Sequence, residues 1–387
     1  MRLSKDKWGK VKIGEIFKTS SGGTPLKKKQ EYFNGNIPWL KSGEVAQGLV
    51  YKAEETITEL GLKNSSAKLF PPDTILVAMY GVTAGVVGLL KFETATNQAI
   101  CGIFPNENVD PYFLFSYLSS KRDYFLGKSV GTSQPNISQL TNRDTEIPLP
   151  PLVEQKQIAA LFQSIETVME QVDGQVQHLK ALQKTLVNGL LNKEPEFGNL
   201  LSSKNCIPST FGEIAECDKK YPEHEKEVER FVGLEYIEAD NFQLQGWGEI
   251  ANGTTFSKRF ATGDVLFGKR RAYLKKVAIA DFDGVCSGDI LVIRAKAKKM
   301  LQGLLPYYIS ADAFIQHAVS TSAGSLSPRT KWKDLAELEV SIPDIKIQEK
   351  ILEVLQQLDN TVNQLKQQKT TLKNLKQKLL NEILSEP

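Results

Sequence analysis

The chain contains one long segment twice. Residues 150–194 and 343–387 align without a gap at a constant offset of 193 residues, as from Pro150 to Pro343. After its leading proline, each copy carries an apolar residue at every seventh position over five repeats, which is the pattern of a coiled-coil seam. We therefore predict two long helices, each about 60 Å long for about 40 residues, that pair with each other.

The predicted helix-pairing residues occupy one seam position that is apolar throughout both copies. They are Ile158, Ile165, Val172, Leu179 and Leu186 in the first copy, and Ile351, Leu358, Leu365, Leu372 and Leu379 in the second. The alternate seam position is less regular, with Gln183 in the first copy and Lys369 and Lys376 in the second. We place these polar residues opposite each other, which indicates an unequal pair of helices. The alternative is a coiled coil between two copies of the chain.

The repeat divides the chain into two similar halves. We predict a first globular domain at residues 1–149, a first long helix at 150–194, a linker at 195–206, a second globular domain at 207–342 and a second long helix at 343–387. The predicted fold class is α+β. Two globular α/β domains are separated by two long helices that pair as an antiparallel coiled coil, with pseudo-two-fold symmetry.

The two globular domains, called heads below, share a plan but differ in sequence. The Gly-Glu-Ile run at residues 14–16 recurs at 212–214, and the polar loop at 131–135 recurs at 324–328. The helices are far more alike than the heads, which indicates heads that recognise different targets on a common frame. Short apolar runs and a leading proline predict local elements in the first head. These are strands at 75–78, 86–90 and 99–104, and a helix at 111–126.

The composition is typical of a water-soluble globular protein, with 41% hydrophobic and 24% charged residues. No apolar run reaches the roughly 20 residues of a membrane helix, and the N-terminal segment lacks a signal-peptide core. The four cysteines form no Cys-x-x-Cys pair, which favours free thiols in a reducing cytoplasm and no zinc site. The net charge of +3 is weak evidence for nucleic-acid binding, so local clusters of charge matter more.

No catalytic or cofactor-binding motif stands out. Residues 263–269 match half of a phosphate-binding loop, but Arg270 replaces the Ser or Thr that would hold magnesium, and the run between the glycines is typical of a strand. The three histidines fall in surroundings that favour solvated or packing roles. We therefore predict no catalytic residue, no metal site and no cofactor bound by this chain.

Basic and polar residues cluster at matching places in both heads. Lys and Arg suit phosphates and guanine edges, whereas Asn and Gln suit adenine edges in a DNA groove. The alternative for each cluster is an ordinary solvated basic surface. The predicted DNA-contacting residues are Lys27, Lys28, Lys29, Lys41, Ser42, Tyr80, Ser133, Gln134 and Asn136 in the first head, and Lys258, Arg259, Lys269, Arg270, Arg271, Tyr273, Ser325, Ser327, Arg329 and Lys331 in the second.

Over nearly its whole length the chain resembles the specificity subunits of type I restriction-modification systems. The resemblance rests on Ser-Gly-Gly-Thr-Pro at residues 21–25 and the run at 37–44 in the first head, and on the runs at 233–238 and 263–274 in the second. Each motif is loose alone, but their order and repetition are specific. A proline-led, Gln-containing start of each long helix adds to the resemblance.

The resemblance implies that each head is a target recognition domain for one half of a split, asymmetric DNA sequence. It implies that the paired helices fix the gap between the halves and dock two methyltransferase subunits, which carry S-adenosylmethionine and methylate adenines. A restriction subunit that uses ATP and magnesium would join them. The second helix departs slightly from the pattern, with Ile347 where the first has Glu154.

Two other classes of function remain open at this stage. One is an enzyme acting alone, such as a nuclease or methyltransferase, which needs a metal or cofactor site. The other is a coiled-coil adaptor whose two heads bind protein partners, against which the basic loops argue. A salt-dependent affinity for DNA separates the adaptor from the DNA-binding protein, because phosphate contacts release counterions.

Overall fold

The computed structural model describes residues 5–129, 135–192, 194–220 and 227–384. The chain divides into two compact units. Unit 1 contains Met1–Val172 and Gln367–Pro387, and unit 2 contains Asp173–Lys366. Each unit therefore consists of one head together with a segment of each long helix. In the described part of the chain, no helix combines the length and the apolar character that crossing a membrane requires.

The head of unit 1 is built on two mixed sheets and one short ladder. The larger sheet has the strand order β2-β10-β7-β8-β4, the second has β5-β3-β9-β6, and β1 pairs with β11. The strands are β1 Gly9–Lys12, β2 Thr19–Ser21, β3 Phe33–Leu40, β4 Leu49–Val50, β5 Glu55–Ile57, β6 Leu69–Phe70, β7 Ile75–Ala78, β8 Val87–Leu90, β9 Thr94–Thr96, β10 Ile100–Ile103 and β11 Glu146–Leu149. The helices are α1 Ile13–Ile16, α2 Glu59–Lys63, α3 Pro111–Ser119, α4 Arg122–Gly127 and α5 Gln139–Asp144.

The three predicted strands of this head are confirmed as β7, β8 and β10, with ends within one residue of the prediction. The single helix predicted at 111–126 is wrong, because the structure has α3 and α4 with a break between them. Asp110 caps the start of α3 by accepting from two backbone N–H groups. At its end, the Ser120 hydroxyl donates to the Tyr117 carbonyl at 2.7 Å. Such a local side-chain bond competes with continuation of the helix.

The head of unit 2 repeats this topology. One sheet has the order β13-β20-β17-β18, another has β15-β14-β19-β16, and β12 pairs with β21. The strands are β12 Cys206–Thr210, β13 Ala215–Cys217, β14 Arg230–Val232, β15 Gly248–Glu249, β16 Lys258–Phe260, β17 Val265–Gly268, β18 Val277–Ile279, β19 Gly284–Cys286, β20 Ile290–Ala295 and β21 Glu339–Pro343. The helices are α7 Phe211–Ile214, α8 Leu305–Ser310, α9 Asp312–Ser320 and α10 Trp332–Ala336. The rejected phosphate loop contains strand β17, in agreement with the sequence prediction.

The two long helices are α6 Leu152–Gly189, of 38 residues, and α11 Ile345–Leu384, of 40 residues. We call them the first and second long helix. In unit 1, Ile158 and Phe162 of the first and Leu380 of the second share one core with the head. In unit 2, Val187 of the first and Ile351 of the second do the same. The two helix segments run antiparallel in each unit, and each pair completes the core of its own head.

The ten predicted helix-pairing residues are all buried or half-buried. By contrast, three apolar residues of these helices outside the seam are exposed, namely Val153 at 68%, Leu182 at 49% and Leu375 at 45%. The seam is therefore covered within a single chain, as the pairing of the two copies requires.

A polar contact interrupts the seam in unit 1. Lys376 of the second long helix forms an ion pair with Glu166 of the first, and both side chains are about three-quarters buried, at 24% and 23% exposure. The hydroxyl of Tyr112, on α3, also donates to Glu166. This contact connects both long helices to the head.

An equivalent contact in unit 2 corrects one sequence prediction. Gln183 does not lie opposite the seam lysines, since its Nε2 donates to Asp359 Oδ1 at 2.7 Å. Tyr307, on α8, donates its hydroxyl to the same carboxylate. Burial and this carboxylate raise the pKa of Tyr307. The prediction was wrong because it matched polar seam residues to one another, whereas Gln183 and Lys376 each bond to an acidic residue of the opposite long helix.

A buried glutamine fixes the start of the first long helix to its head. Gln155 is only 1% exposed. Its Oε1 accepts from the Asp110 N–H at 2.8 Å, and its Nε2 donates to the carbonyls of Pro150 at 2.8 Å and Asn108 at 3.3 Å. One amide thus satisfies three backbone groups from two segments.

Gln348 has the same role at the start of the second long helix and is also 1% exposed. Its Oε1 accepts from the Leu301 N–H at 2.9 Å, and its Nε2 donates to the carbonyls of Lys299 and Pro343, both at 2.9 Å. The start of each long helix is therefore attached to its head by the same set of hydrogen bonds.

Candidate nucleic-acid interface

Three loops of unit 1 meet where strand β7 ends. The Met79 N–H donates to the Ala99 carbonyl at 2.8 Å, and the Ile137 N–H donates to the Met79 carbonyl at 2.8 Å. Tyr80 and Asn136 then form an antiparallel bridge. We call residues 79–83, 97–99 and 135–137 the first loop cluster. It places the side chains of Tyr80 and Asn136 on adjacent strands, and both are exposed.

Three loops of unit 2 meet in the same way where strand β17 ends. The Lys269 N–H donates to the Asp289 carbonyl at 2.9 Å, and the Thr330 N–H donates to the Lys269 carbonyl at 3.1 Å. Arg270 and Arg329 form the antiparallel bridge. We call residues 269–275, 287–289 and 323–330 the second loop cluster. Arg270 and Arg329 thus occupy the positions that Tyr80 and Asn136 occupy in the first.

A single carboxylate holds both bridge arginines of the second loop cluster. Arg329 donates from Nε to Asp289 Oδ1 at 2.7 Å and from Nη2 to Oδ2 at 3.2 Å. Arg270 donates from Nη1 to Asp289 Oδ2 at 3.2 Å. The hydrogen bond from Arg329 lowers the pKa of Asp289, although partial burial opposes this shift, and the same bond raises the pKa of Arg329. The carboxylate is therefore charged at neutral pH, and it orients both guanidinium groups.

Two basic residues of this cluster have unfavourable backbone conformations. Arg271 has φ 55° and Lys275 has φ 50°. In unit 1 the equivalent left-handed positions are glycines, Gly81 with φ 72° and Gly85 with φ 75°. A side chain in this region costs about 1–2 kcal/mol. Strain of this kind is concentrated at functional sites.

Most of the DNA-contacting residues predicted in the second head lie in or next to this cluster. The Arg271 N–H donates to the Pro328 carbonyl at 2.8 Å, and its Nη2 donates to the Leu326 carbonyl at 3.3 Å. Tyr273 is 52% exposed in the turn that follows. The residues that the structure brings together are Lys269, Arg270, Arg271, Tyr273, Ser325, Ser327 and Arg329, and Lys331 follows directly.

Lys258 and Arg259 have different surroundings, on strand β16. The Lys258 ammonium donates to the Asp218 carboxylate at 2.7 Å and to the Ile290 carbonyl at 2.7 Å. Arg259 is half-buried and lies opposite Val285 in the sheet. The structure therefore gives Lys258 a role in joining strands next to the cluster.

Three of the four predicted lysines of the first head lie in the loop between β2 and β3. Lys27, Lys28 and Lys29 are exposed. Lys29 donates to the Tyr32 hydroxyl at 3.0 Å, and this bond raises the pKa of Lys29. Ser133 and Gln134 lie outside the described residues.

Lys27 and Lys41 border a polar cavity of about 460 Å³ that adjoins the first loop cluster. Lys41 pairs with Glu55, which raises the pKa of Lys41, and the half-buried Ser42 follows it. The Trp39 indole N–H donates to the Gly23 carbonyl at 3.0 Å. The cavity is lined by Thr24, Lys27, Phe33, Trp39, Lys41, Glu55, Asn97 and Gln98.

Several residues of these clusters were missed by sequence reasoning. Asp289 was assigned no role from the sequence, because an acidic residue does not suggest DNA contact. Asn97 had no signal of its own. Val82, 94% exposed, and Leu326, 88% exposed, are apolar residues at the loop tips. Exposed apolar side chains at a polar interface suit thymine methyl groups, but no sequence pattern marks them.

The family comparison decides what kind of protein has this architecture. The profile of the family described as "Type I restriction modification DNA specificity domain" matches residues 5–179 and 208–374. The chain belongs to this family. The two matched segments contain both loop clusters, so this type I DNA specificity protein carries two copies of the family domain. The resemblance stated from the sequence is confirmed.

Curated relatives extend over the whole chain at low identity. The chain is 22% identical over 415 residues to the type I restriction enzyme MjaVIII specificity subunit of Methanocaldococcus jannaschii, covering 100% of this chain and 93% of the relative. It is 24% identical over 409 residues to the EcoKI specificity subunit of Escherichia coli, covering 92% and 84%. The match to the EcoR124I/EcoR124II specificity subunit of Escherichia coli is 30% identical over 166 residues, which is 41% of each chain.

Solved structures share the fold. The type I restriction-modification S subunit from M. genitalium superposes with a TM-score of 0.58 at 17% identity, covering 100% of this chain and 99% of the other. A chain from a structure on complex assembly and conformational transition of the type I R-M system gives 0.63 at 18% identity, covering 99% and 98%. The predicted fold class, two α/β heads with two long paired helices, is confirmed.

Proposed function

We propose that this chain is the DNA-specificity subunit of a type I restriction-modification complex, and that each loop cluster recognises one half of a bipartite DNA site. The observation that carries the proposal is the repetition of one backbone arrangement with different side chains. Residues equivalent by hydrogen bonding are Tyr80 and Arg270, and Asn136 and Arg329. A constant frame with exchanged side chains is what recognition of two different half-sites requires.

The side chains of the two clusters have the chemistry of groove contacts. Asparagine, serine and arginine donate or accept in the directions that base edges and phosphates present. The first cluster offers mainly neutral amides and a phenol, whereas the second offers arginines. The two half-sites should therefore differ in sequence, and the whole site should be asymmetric.

The long helices are proposed to fix the number of unrecognised base pairs between the half-sites. With 38 and 40 residues, they are about 57 and 60 Å long at about 1.5 Å per residue. One turn of DNA rises about 34–36 Å. Inserting matched residues into both helices should lengthen the unrecognised gap and leave both half-sites unchanged. An unchanged gap in an assembled variant would contradict this role.

Partners supply the chemistry in this proposal. The curated relatives are specificity subunits of restriction enzymes, which supports the assignment of methylation and cleavage to other chains. Two methyltransferase subunits would dock on the helical frame and carry S-adenosylmethionine. A restriction subunit would bring ATP and magnesium. This chain would be non-catalytic and would contribute the choice of sequence.

Methylation sequencing tests the proposed function. Cells that express this chain with its cognate methyltransferase subunit are compared with cells that express the methyltransferase alone. We expect a new motif of methylated adenines with two short defined halves and a fixed gap. No new methylation, with the complex shown to be assembled, would favour an adaptor with protein-binding heads. The salt dependence of DNA affinity for the same complex provides a second readout.

A further inference from the structure

The second loop cluster holds two arginines in a fixed orientation towards solvent. Arg270 and Arg329 are 43% and 48% exposed, whereas Asp289 between them is 18% exposed. The carboxylate therefore lies behind the two guanidinium groups. Orienting a long side chain before binding reduces the entropy lost when the complex forms.

The hydrogen-bonding capacity of Arg329 is only partly used by Asp289. Nε and one Nη2 proton point to the carboxylate, and a guanidinium has five N–H donors in a planar fork. Three N–H donors remain, and one on Nη1 and one on Nη2 form a pair of parallel donors. Guanine presents two neighbouring acceptors, N7 and O6, in the major groove, and a bidentate arginine is their most common specific partner.

The first loop cluster lacks this arrangement. Ala99 stands where the second cluster has Asp289, and Tyr80 and Asn136 stand where it has the two arginines. The arginine–carboxylate arrangement is therefore not a requirement of the loop backbone. The neighbouring strain at Arg271, where the first cluster has Gly81, is a separate sign that basic side chains were placed here at a cost in stability.

We propose that Arg329 and Arg270, held by Asp289, are the guanine-recognising residues of the second unit, so that the half-site of this unit contains guanine at a position they contact. The inference rests on the proposed function and specifies the chemistry of one half-site. Asp289 acts through the arginines and is a positioning residue.

The test uses the complex of the full chain with its cognate methyltransferase subunit and a pool of duplex DNA with both half-sites randomised. Binding is measured at fixed salt, and the wild-type motif is compared with that of Arg329→Lys. Lysine keeps the charge and its phosphate attraction but loses the planar fork. We expect discrimination at one G·C position to fall about tenfold or more, with the other positions of both half-sites unchanged.

A second variant tests the positioning role. Asp289→Asn retains both arginines but removes their shared carboxylate. We expect lower discrimination at the same position together with higher affinity for non-specific DNA, since a negative charge near the phosphates is gone. Asp281→Asn is the matched control, because this exposed aspartate lies in the turn after β18, away from the loop cluster. The control should leave the motif unchanged.

The outcomes separate the inference from the proposed function. Relaxation of a single G·C position by Arg329→Lys supports the inference. A two-part motif that is unchanged by Arg329→Lys and Asp289→Asn, with affinity lowered equally for all sequences, would show phosphate contacts instead and overturn it. Absence of any motif for the wild-type complex would overturn the proposed function itself.

Discussion

The two loop clusters share one backbone arrangement but carry different side chains, neutral in the first and cationic in the second. In each, the loop that follows the strand donates one backbone hydrogen bond to a second loop and accepts one from a third, and a bridge sets two side chains next to each other. In the first cluster these are Tyr80 and Asn136, and in the second they are Arg270 and Arg329. Recognition can therefore be changed by exchanging side chains on an arrangement that stays constant.

The long helices show the reverse relation. Their anchors keep both position and chemistry, since Gln155 and Gln348 make the same three types of hydrogen bond to backbone groups. The residues that attach the long helices to the heads are the same in both units, whereas the side chains of the loop clusters differ. Substitutions at the anchors, in the loops and in the seam test this contrast.

The largest effect is expected at the helix anchors. Gln155→Ala and Gln348→Ala each remove three hydrogen bonds to backbone groups, one of them buried and two partly buried. The loss should lower the free energy of unfolding by roughly 3 kcal/mol. Urea denaturation monitored by circular dichroism measures the loss. Gln163→Ala and Gln356→Ala, exposed positions on the same two helices, serve as controls and should change it little. If Gln348→Ala lowered the free energy of unfolding and Gln155→Ala did not, the two anchors would not be equivalent.

A smaller, reciprocal effect is expected at the left-handed positions. Gly81→Ala should destabilise unit 1 by about 1 kcal/mol, because a Cβ there meets open space but a strained backbone. Arg271→Gly should stabilise unit 2 by up to about 1 kcal/mol while weakening DNA binding. Gly43→Ala is the control, since its Cβ also meets open space and its backbone lies outside the left-handed region. Equal changes in the free energy of unfolding for Gly81→Ala and Gly43→Ala would show that the left-handed backbone does not affect stability.

The sequence predicted the frame better than the recognition surface. The heptad pattern and the repeat were sufficient for two long helices, because seam burial is a periodic property of neighbouring residues. The prediction of one helix at 111–126 was wrong because α3 ends at Ser119, and the side chain of Ser120 bonds to the Tyr117 carbonyl. Pairing of Gln183 with Asp359 was missed because it depends on the register of two helix segments far apart in the chain.

The candidate DNA-contacting residues were chosen from the sequence by residue type, and their positions in space could be predicted only in part. The sequence marked basic residues on two separate loops of the second head, and the structure brings Arg270 and Arg329 of these loops together. It did not show the partners that position them. Asp289 meets Arg329 through contacts across three loops, which no local pattern encodes. DNA contact by Lys258 stays a prediction, and in the structure its ammonium group is bonded to Asp218 and Ile290.

The polar seam contacts should differ in their response to salt. Glu166 pairs with the cation of Lys376 in unit 1, whereas Asp359 accepts from the neutral Gln183 in unit 2. Glu166→Gln should cost about 0.5 kcal/mol at low salt, allowing for solvent screening of a partly exposed pair, and less at 1 M salt. The cost of Asp359→Asn should not depend on salt. Thermal unfolding across a salt series measures both, and equal salt dependence would contradict the assignment.

The smallest effect is expected from pH. The pKa of Asp289 is lowered from 3.8, mainly by its hydrogen bond from Arg329. A lowered pKa in the folded state gives a contribution that is present above the ordinary value and is lost as pH falls through the folded value. Discrimination at the guanine position should therefore change less than about twofold between pH 8 and 5.5. A tenfold loss within this range would show that another group controls the arginines.

In our proposal, each loop cluster recognises its own half-site. Methylation sequencing of two variants, Asn136→Ala and Arg329→Lys, each expressed with the cognate methyltransferase subunit, tests this most directly. We expect each variant to relax one half of the motif, the two relaxed halves to differ, and the gap to stay fixed. Relaxation of the same half by both variants, or of both halves by either one, would contradict the proposal.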